Sequence, residues 1–366
     1  MQKYITLRVH TALYLSVFFL GLHYVFVYFA NSSILSYFFN LTLPQVLFIY
    51  GAASVFSILV YLFIASKKIL KTKKSIYIFT LLEMICLASM YTGSTHGNVV
   101  LFVTAFCTHH LITPYLLYNL DILFENYTHI EDRGKGRGIY MTMWNVPFVI
   151  VPLLLSSLKV AELSIVYVLS FLILLPFLLF VYVYIQEPDL SHLSTAGADR
   201  TVFERIAHFW SDSVNRKSFM IQSTLHLYYT ITGVLLPLYL HSYFGFEWDK
   251  IGLILLVSSV PFILFQIPFG SIEDKNHNEK KVFIWGIIFT VVFTVASLLV
   301  RPDTQLAFLL LAGTLFLSRI GCSLIEIAME GMFYKHVTEK NNFALLAFRS
   351  GRLFPYILGL LAVFWL

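Results

Sequence analysis

Apolar and polar positions alternate along this chain in long blocks. Eleven blocks of roughly twenty mostly apolar residues, at about 9–30, 44–66, 76–93, 98–122, 139–157, 163–185, 219–241, 250–270, 282–300, 305–327 and 344–366, are separated by intervals that hold most of the charge. A bilayer core about 30 Å thick is crossed by about 20 apolar residues in a helix, which pairs every backbone amide within the segment. The pattern therefore predicts an all-α polytopic membrane protein with about 11 transmembrane helices. One long polar interval, 186–218, stands between six blocks and five. It predicts an N-terminal six-helix bundle over 1–185, a central cytoplasmic loop over 186–218 and a C-terminal bundle over 219–366. The second half is shorter by about one loop and one helix, so a twelfth helix is expected to be missing from it.

Composition closes off a water-soluble alternative. Of 366 residues 58% are hydrophobic and 12% charged, and the mean hydropathy is +0.78, too apolar for the interior of a globule of this size to hide. The first block follows Lys3 and Arg8 like a secretory signal, but it is too long and has no small-residue cleavage site, so it reads as a retained helix. Lys and Arg give the orientation. The N-terminus, alternate intervals and the start of the last block carry 21 of the 25 basic residues, and the opposite intervals carry only Lys159, Lys250 and Arg301. This asymmetry predicts a cytoplasmic N-terminus in a multi-pass protein of a bacterial inner membrane. The net charge of +5 thus reports topology and not a nucleic-acid surface. Cys86, Cys107 and Cys322 fall within blocks at no regular spacing and read as packing residues.

Weak internal similarity runs through the two halves. Asp121-Ile-Leu-Phe-Glu125 near the end of block 4 matches Glu326-Ile-Ala-Met-Glu330 near the end of block 10, Leu22-His23-Tyr24 matches the run from Leu225 to Tyr229, and Lys73-Lys74 matches Lys280-Lys281. The three offsets are nearly equal, as two six-helix repeats in parallel orientation would give. After block 8 comes Gly270-Ser-Ile-Glu-Asp274-Lys275, followed by Lys280-Lys281. This run resembles the Gly-x-x-x-Asp-(Arg/Lys) loop signature of the major facilitator superfamily. The resemblance implies two helical halves, a small solute moved by alternating access, a cavity lined by helices 1, 4, 7 and 10, and a gating role for Gly270, Asp274 and Lys275. In the first half the matching positions are Phe63 and Lys67, and block 5 contains no glycine, so the pattern of the family's drug/proton antiporters is absent.

Polar side chains deep in apolar blocks are the candidate chemistry. Arg319 lies near the middle of block 10, with Glu326 and Glu330 within about 20° of its azimuth but at least roughly 10 Å along the helix. It therefore needs a partner elsewhere: an acid or carbonyl on another helix, or an anionic substrate. The two glutamates, nearer the interface, read as solvated helix-end acids or, for Glu326, a proton carrier. Block 4 carries His109, His110 and Asp121, and block 7 a polar face with His226 and Tyr229. With His23 of block 1 these are the blocks that line the cavity in the family the chain resembles. His23, His110, His226, Tyr229 and Arg319 are thus the expected cavity residues, and Asp121 and Glu326 the proton-coupling candidates. Glu83 in block 3 reads as an interhelical hydrogen-bonding acid. The mixed sequence 191–214 suggests a short amphipathic helix on the inner membrane surface.

Exclusions narrow the function. No phosphate-binding Gly-x-x-x-x-Gly-Lys-(Ser/Thr) loop is present, so ATP-driven pumping is not expected. Cys107-x-His109-His110 lacks a second ligand set at metal spacing, so neither a metal nor a cofactor is expected. The residues point to a secondary transporter or symporter, not an enzyme, with a polar or anionic small molecule, membrane lipids and protons as partners and no nucleic acid. An uncoupled facilitator, a non-transporting scaffold or sensor, and an intramembrane lipid-modifying enzyme using the histidine pair remain the alternatives.

Overall fold

The computed structural model describes residues 2–64, 73–128, 133–155, 162–186, 201–276, 279–337 and 342–363. They form α1 (Gln2–Tyr37), α2 (Leu43–Ile64), α3 (Lys73–Thr95), α4 (Val99–Tyr127), α5 (Arg133–Asn145), α6 (Pro147–Leu155), α7 (Ile165–Tyr184), α8 (Val202–Ser211), α9 (Ser213–Thr230), α10 (Leu236–Phe244), α11 (Trp248–Leu264), α12 (Gln266–Asn276), α13 (Glu279–Leu298), α14 (Ala307–His336), α15 (Asn342–Ser350) and α16 (Phe354–Val363). No strand occurs among the described residues. The molecule is an all-α, multi-pass membrane protein. Among the described residues ten helical stretches are long and apolar enough to cross a membrane. The eleventh expected span, 219–241, is helical but is not among the ten. The helix that supplies its first part, α9, carries Asn215, Arg216 and Lys217 near its start and Gln222, Ser223, His226 and Thr230 farther on, which lower its hydropathy.

Four of the spans are interrupted, and each interruption lies just before a proline that cannot donate to the carbonyl four residues earlier. Pro147 follows the break between α5 and α6, and Pro268 follows the break at Phe265 between α11 and α12. Pro355 follows a 3-10 turn at Gly351–Leu353. Pro237 follows a π turn at Ile231–Leu235 between α9 and α10. Pro114 and Pro176 are accommodated within continuous helices.

Contacts divide the chain into two compact units that cut across sequence order. The first holds 1–128, 158–223 and 337–366, and the second holds 129–157 and 224–336. In the first, α1 packs on α7, α3 on α4, and α2 on α16. Lys73 at the start of α3 donates from Nζ to the carbonyls of Tyr182 and Ile185, 2.7 and 2.6 Å away, capping the end of α7. Gly97, at φ 66°, turns the chain from α3 into α4. Asn98 then accepts from the Leu101 amide at 3.0 Å to cap the new helix. α8 is the short amphipathic helix expected near 191–214, although 191–200 lies outside the described residues. A reciprocal Thr201–Glu204 capping box starts it, Phe209 is buried on its inner face and Phe203 is 83% exposed on the other.

In the second unit α13 packs on α14, α11 on α14, and α5 on α12. Gly138 permits the last of these contacts. A Cβ there would stand 2.6 Å from the Gln266 carbonyl oxygen and 3.0 Å from the Ile267 Cα, both backbone atoms that cannot turn aside. Gly138→Ala is therefore expected to destabilise the protein by about 1–3 kcal/mol through overpacking. Gly313→Ala, with nothing within 4 Å of its new methyl group, should leave stability unchanged or slightly raised. Thermal unfolding in detergent compares the two, and equal midpoints would refute the close-packing account.

Candidate functional site

Each unit buries polar side chains on its own helices. In the first unit His23 of α1, Glu83 of α3 and His109 of α4 converge, at most 3% exposed. The His109 Nδ1 hydrogen-bonds Glu83 Oε1, and His23 Nε2 stands 3.2 Å from the same oxygen without hydrogen-bonding geometry. One ligand-type atom from each of the three residues falls within 4.8 Å of the other two. The sequence reading expected no metal site, because it weighed the run from Cys107 to His110. Adjacent helical residues leave the axis about 100° apart, and the three donors that meet come from separate helices.

His110, expected in the cavity, has its Nε2 2.8 Å from Ser54 Oγ. Its ring is packed by Tyr50, Phe106 and Tyr356.

Asp121, at 0% exposure, is held by Arg349 of α15, itself buried. Arg349 donates from Nε to Oδ2 at 2.5 Å and from Nη2 to Oδ1 at 2.9 Å. This is the two-pronged geometry in which a guanidinium matches a carboxylate best.

In the second unit Arg319 of α14 is half-buried. It donates from Nη2 to Thr232 Oγ1 at 2.5 Å, and its guanidinium lies 5.2 and 5.1 Å from the ring centroids of Tyr228 and Tyr229. Thr232 gives its own proton to the Tyr228 carbonyl at 2.7 Å, so its lone pair faces Arg319. The π turn supplies Thr232, a local irregularity often found at functional positions. Among the described residues no carboxylate lies within 4.0 Å of Arg319. Tyr228 is fixed by a triangle of hydroxyls with Thr294 and Ser318, at 3.0, 2.8 and 2.8 Å. The Tyr229 hydroxyl, by contrast, is buried with no hydrogen-bond partner, and its ring packs against His226 and Phe262.

Glu326 and Glu330 overturn the expectation of solvated helix-end acids. They are 4% and 0% exposed because α5 and α12 lie against this end of α14. Gln266 donates to Glu326 Oε2 at 2.9 Å and accepts from Asn145 at 3.2 Å. Glu330 faces Arg137 of α5 at 3.9 Å, whose guanidinium lies over the Tyr334 ring at 3.5 Å. Gly270 is buried in α12, and the side chains of Asp274 and Lys275 lie outside the described residues. The sequence reading missed Arg137 and Arg349, which it counted only as topological charges. Their signal was position: Arg137 stands in the second turn of α5, just before its apolar run, and Arg349 in the last turn of α15 after the apolar run Phe343–Phe348, both within helices and not in a loop.

The comparisons agree with this architecture. The family model described as Major Facilitator Superfamily matches residues 218–366. The structure is similar to that of the human organic anion transporter MFSD10, with TM-score 0.73 at 12% identity, covering 98% of this chain and 92% of that one. It is similar to a bacterial homologue of the iron transporter ferroportin in its outward-facing state, with TM-score 0.75 at 14% identity and coverage of 97% and 91%. It is also similar to the Escherichia coli fucose:proton symporter FucP, with TM-score 0.69 at 13% identity and coverage of 97% and 89%. No curated protein matches the sequence. In its fold along the whole chain, and in the family model matched over 218–366, this protein is similar to transporters of the major facilitator superfamily.

Proposed function

We propose that the protein is a secondary active transporter that carries a small anionic or polar solute across the membrane by alternating access. The observation that carries the reading is Arg319. A guanidinium keeps its charge at any ordinary pH, and a charge within a membrane segment is costly unless it is paired. Among the described residues this one is answered by the Thr232 hydroxyl, two aromatic faces and the neighbouring Cys322 side chain, with no carboxylate, and beside it the buried Tyr229 hydroxyl lacks a partner. A carboxylate, phosphate or sulfate on the solute would take N–H donors from Arg319 and the Tyr229 O–H, with His226 at the edge of the same cluster. Neighbours named as an organic anion transporter and a proton-coupled sugar symporter support transport of this general kind.

Coupling to protons would run through Asp121, with Glu326 the second candidate. Taking up a proton removes the charge that holds Arg349 and frees that pair, while Gly270, Asp274 and Lys275 form the gate on the cytoplasmic side, where the N-terminus also lies. The experiment is a thermal-shift screen of the purified protein in detergent against carboxylates, phosphates, sulfated and neutral sugars, amino acids and nucleosides, followed by uptake of any hit into proteoliposomes. Ligand at a hundred times its dissociation constant should add about 2.7 kcal/mol of stability. Stabilisation by neutral solutes alone, with anions inert, would refute the role given to Arg319.

A further inference from the structure

The His23–Glu83–His109 cluster is a built site that the transport reading does not explain. Its three side chains come from α1, α3 and α4 of one compact unit, and all are buried. The hydrogen bond from His109 occupies Glu83 Oε1 and leaves Oε2 buried with no partner. Both ring nitrogens of His23 are buried without a hydrogen bond, although Nε2 lies 3.2 Å from the carboxylate. An orphaned buried polar atom costs about 1–3 kcal/mol, and within a membrane segment lipid offers nothing to satisfy it. Unsatisfied polar atoms on two adjoining side chains, with His23 Nε2 3.2 Å from the carboxylate, imply an occupant.

We propose that His23, Glu83 and His109 bind one divalent first-row transition-metal ion of the zinc or cobalt class. Two imidazole nitrogens and one carboxylate oxygen are a donor set that suits such ions and disfavours magnesium and calcium, which take oxygen ligands. Two ligands of one such ion stand at most about 4.2 Å apart, twice a bond of about 2.1 Å. Donor atoms already within 4.8 Å of one another therefore need small side-chain rotations to close on it. The ion would use a carboxylate oxygen of Glu83 and a nitrogen of each ring, displacing the His109–Glu83 hydrogen bond, and a fourth position would be open to water or an oxygen of a solute. The inference does not rest on transport, and its test reads binding.

The experiment is titration of the purified full chain in detergent with Co²⁺, followed by its visible ligand-field absorption and by displacement with Zn²⁺. One ion per chain is expected. Glu83→Gln and His23→Gln should each weaken binding by about tenfold or more, since losing a ligand should cost no less than losing the outer-shell support of one. His96→Gln, on an exposed residue, should leave binding unchanged. X-ray absorption of the wild-type protein loaded with Zn²⁺ gives a readout that needs no variant, and imidazole scattering in the first shell is expected. The proposal is overturned if folded wild-type protein binds no Co²⁺, if binding survives both substitutions, or if the bound ion shows no imidazole.

Discussion

Arg349→Ala is expected to lower the stability of the detergent-solubilised protein by about 3–5 kcal/mol, and Asp121→Ala by a similar amount. The size follows from burial. Asp121 and Arg349 are 0% and 1% exposed and share two hydrogen bonds. Removing either partner takes two charge-assisted hydrogen bonds from a buried charge, which is far more costly than the intact pair is worth. The same reasoning fixes the sign for the double variant. Replacing both by apolar residues of similar size, Asp121→Leu with Arg349→Met, removes both charges together and should recover most of the loss. Chemical or thermal unfolding of the four proteins closes a double-mutant cycle, in which a coupling of at least about 2 kcal/mol is expected. Additive losses would mean that the pair does not act as a unit. In transport, the double variant should fold yet fail to couple uptake to protons, because it has no acid left at this position to release an arginine.

That pair also marks the limit of what the sequence disclosed. The membrane class and the approximate helix positions were legible because a bilayer demands long apolar runs, a local property of the chain. Arg319 was legible for the same reason, as the lone charge in the middle of block 10. Asp121 and Arg349 are 228 residues apart, and Glu83 and His109 meet from different helices. No periodicity within one helix can announce such partners. The grouping of α15 and α16 with α1–α4, and of α5 and α6 with the later helices, is likewise a matter of tertiary packing. It explains why Glu330, at the end of an apolar block and apparently bound for solvent, is buried beside Arg137. The prolines at 147, 237, 268 and 355 were visible in the sequence, but only the backbone reveals that they interrupt their helices while Pro114 and Pro176 do not.

Arg319→Ala should abolish stabilisation by whatever anion the protein binds, and the pattern across a short series of variants tests why. A hydrogen bond to a charged group contributes about 1.5–3 kcal/mol, which corresponds to roughly ten- to a hundredfold in affinity. Loss of a guanidinium that offers more than one such bond should therefore push anion binding out of a millimolar screen. Arg319→Lys retains the charge but not the planar fork, so an intermediate affinity is expected for carboxylates and a larger loss where two-pronged contact matters. Thr232→Val tests the support. It removes the hydroxyl that accepts from Nη2 at 2.5 Å and leaves the guanidinium charged, so anion affinity should fall by less than in Arg319→Ala. Tyr229→Phe removes a hydroxyl that has no protein partner. Its effect on the unliganded protein should be small or stabilising, since an unsatisfied buried group is lost, while anion binding weakens. Isothermal titration and thermal unfolding of each variant separate these effects. Unchanged affinity in Tyr229→Phe would move the solute away from that hydroxyl, and unchanged affinity in Arg319→Ala would leave the arginine a structural residue held by Thr232 and the two tyrosine rings.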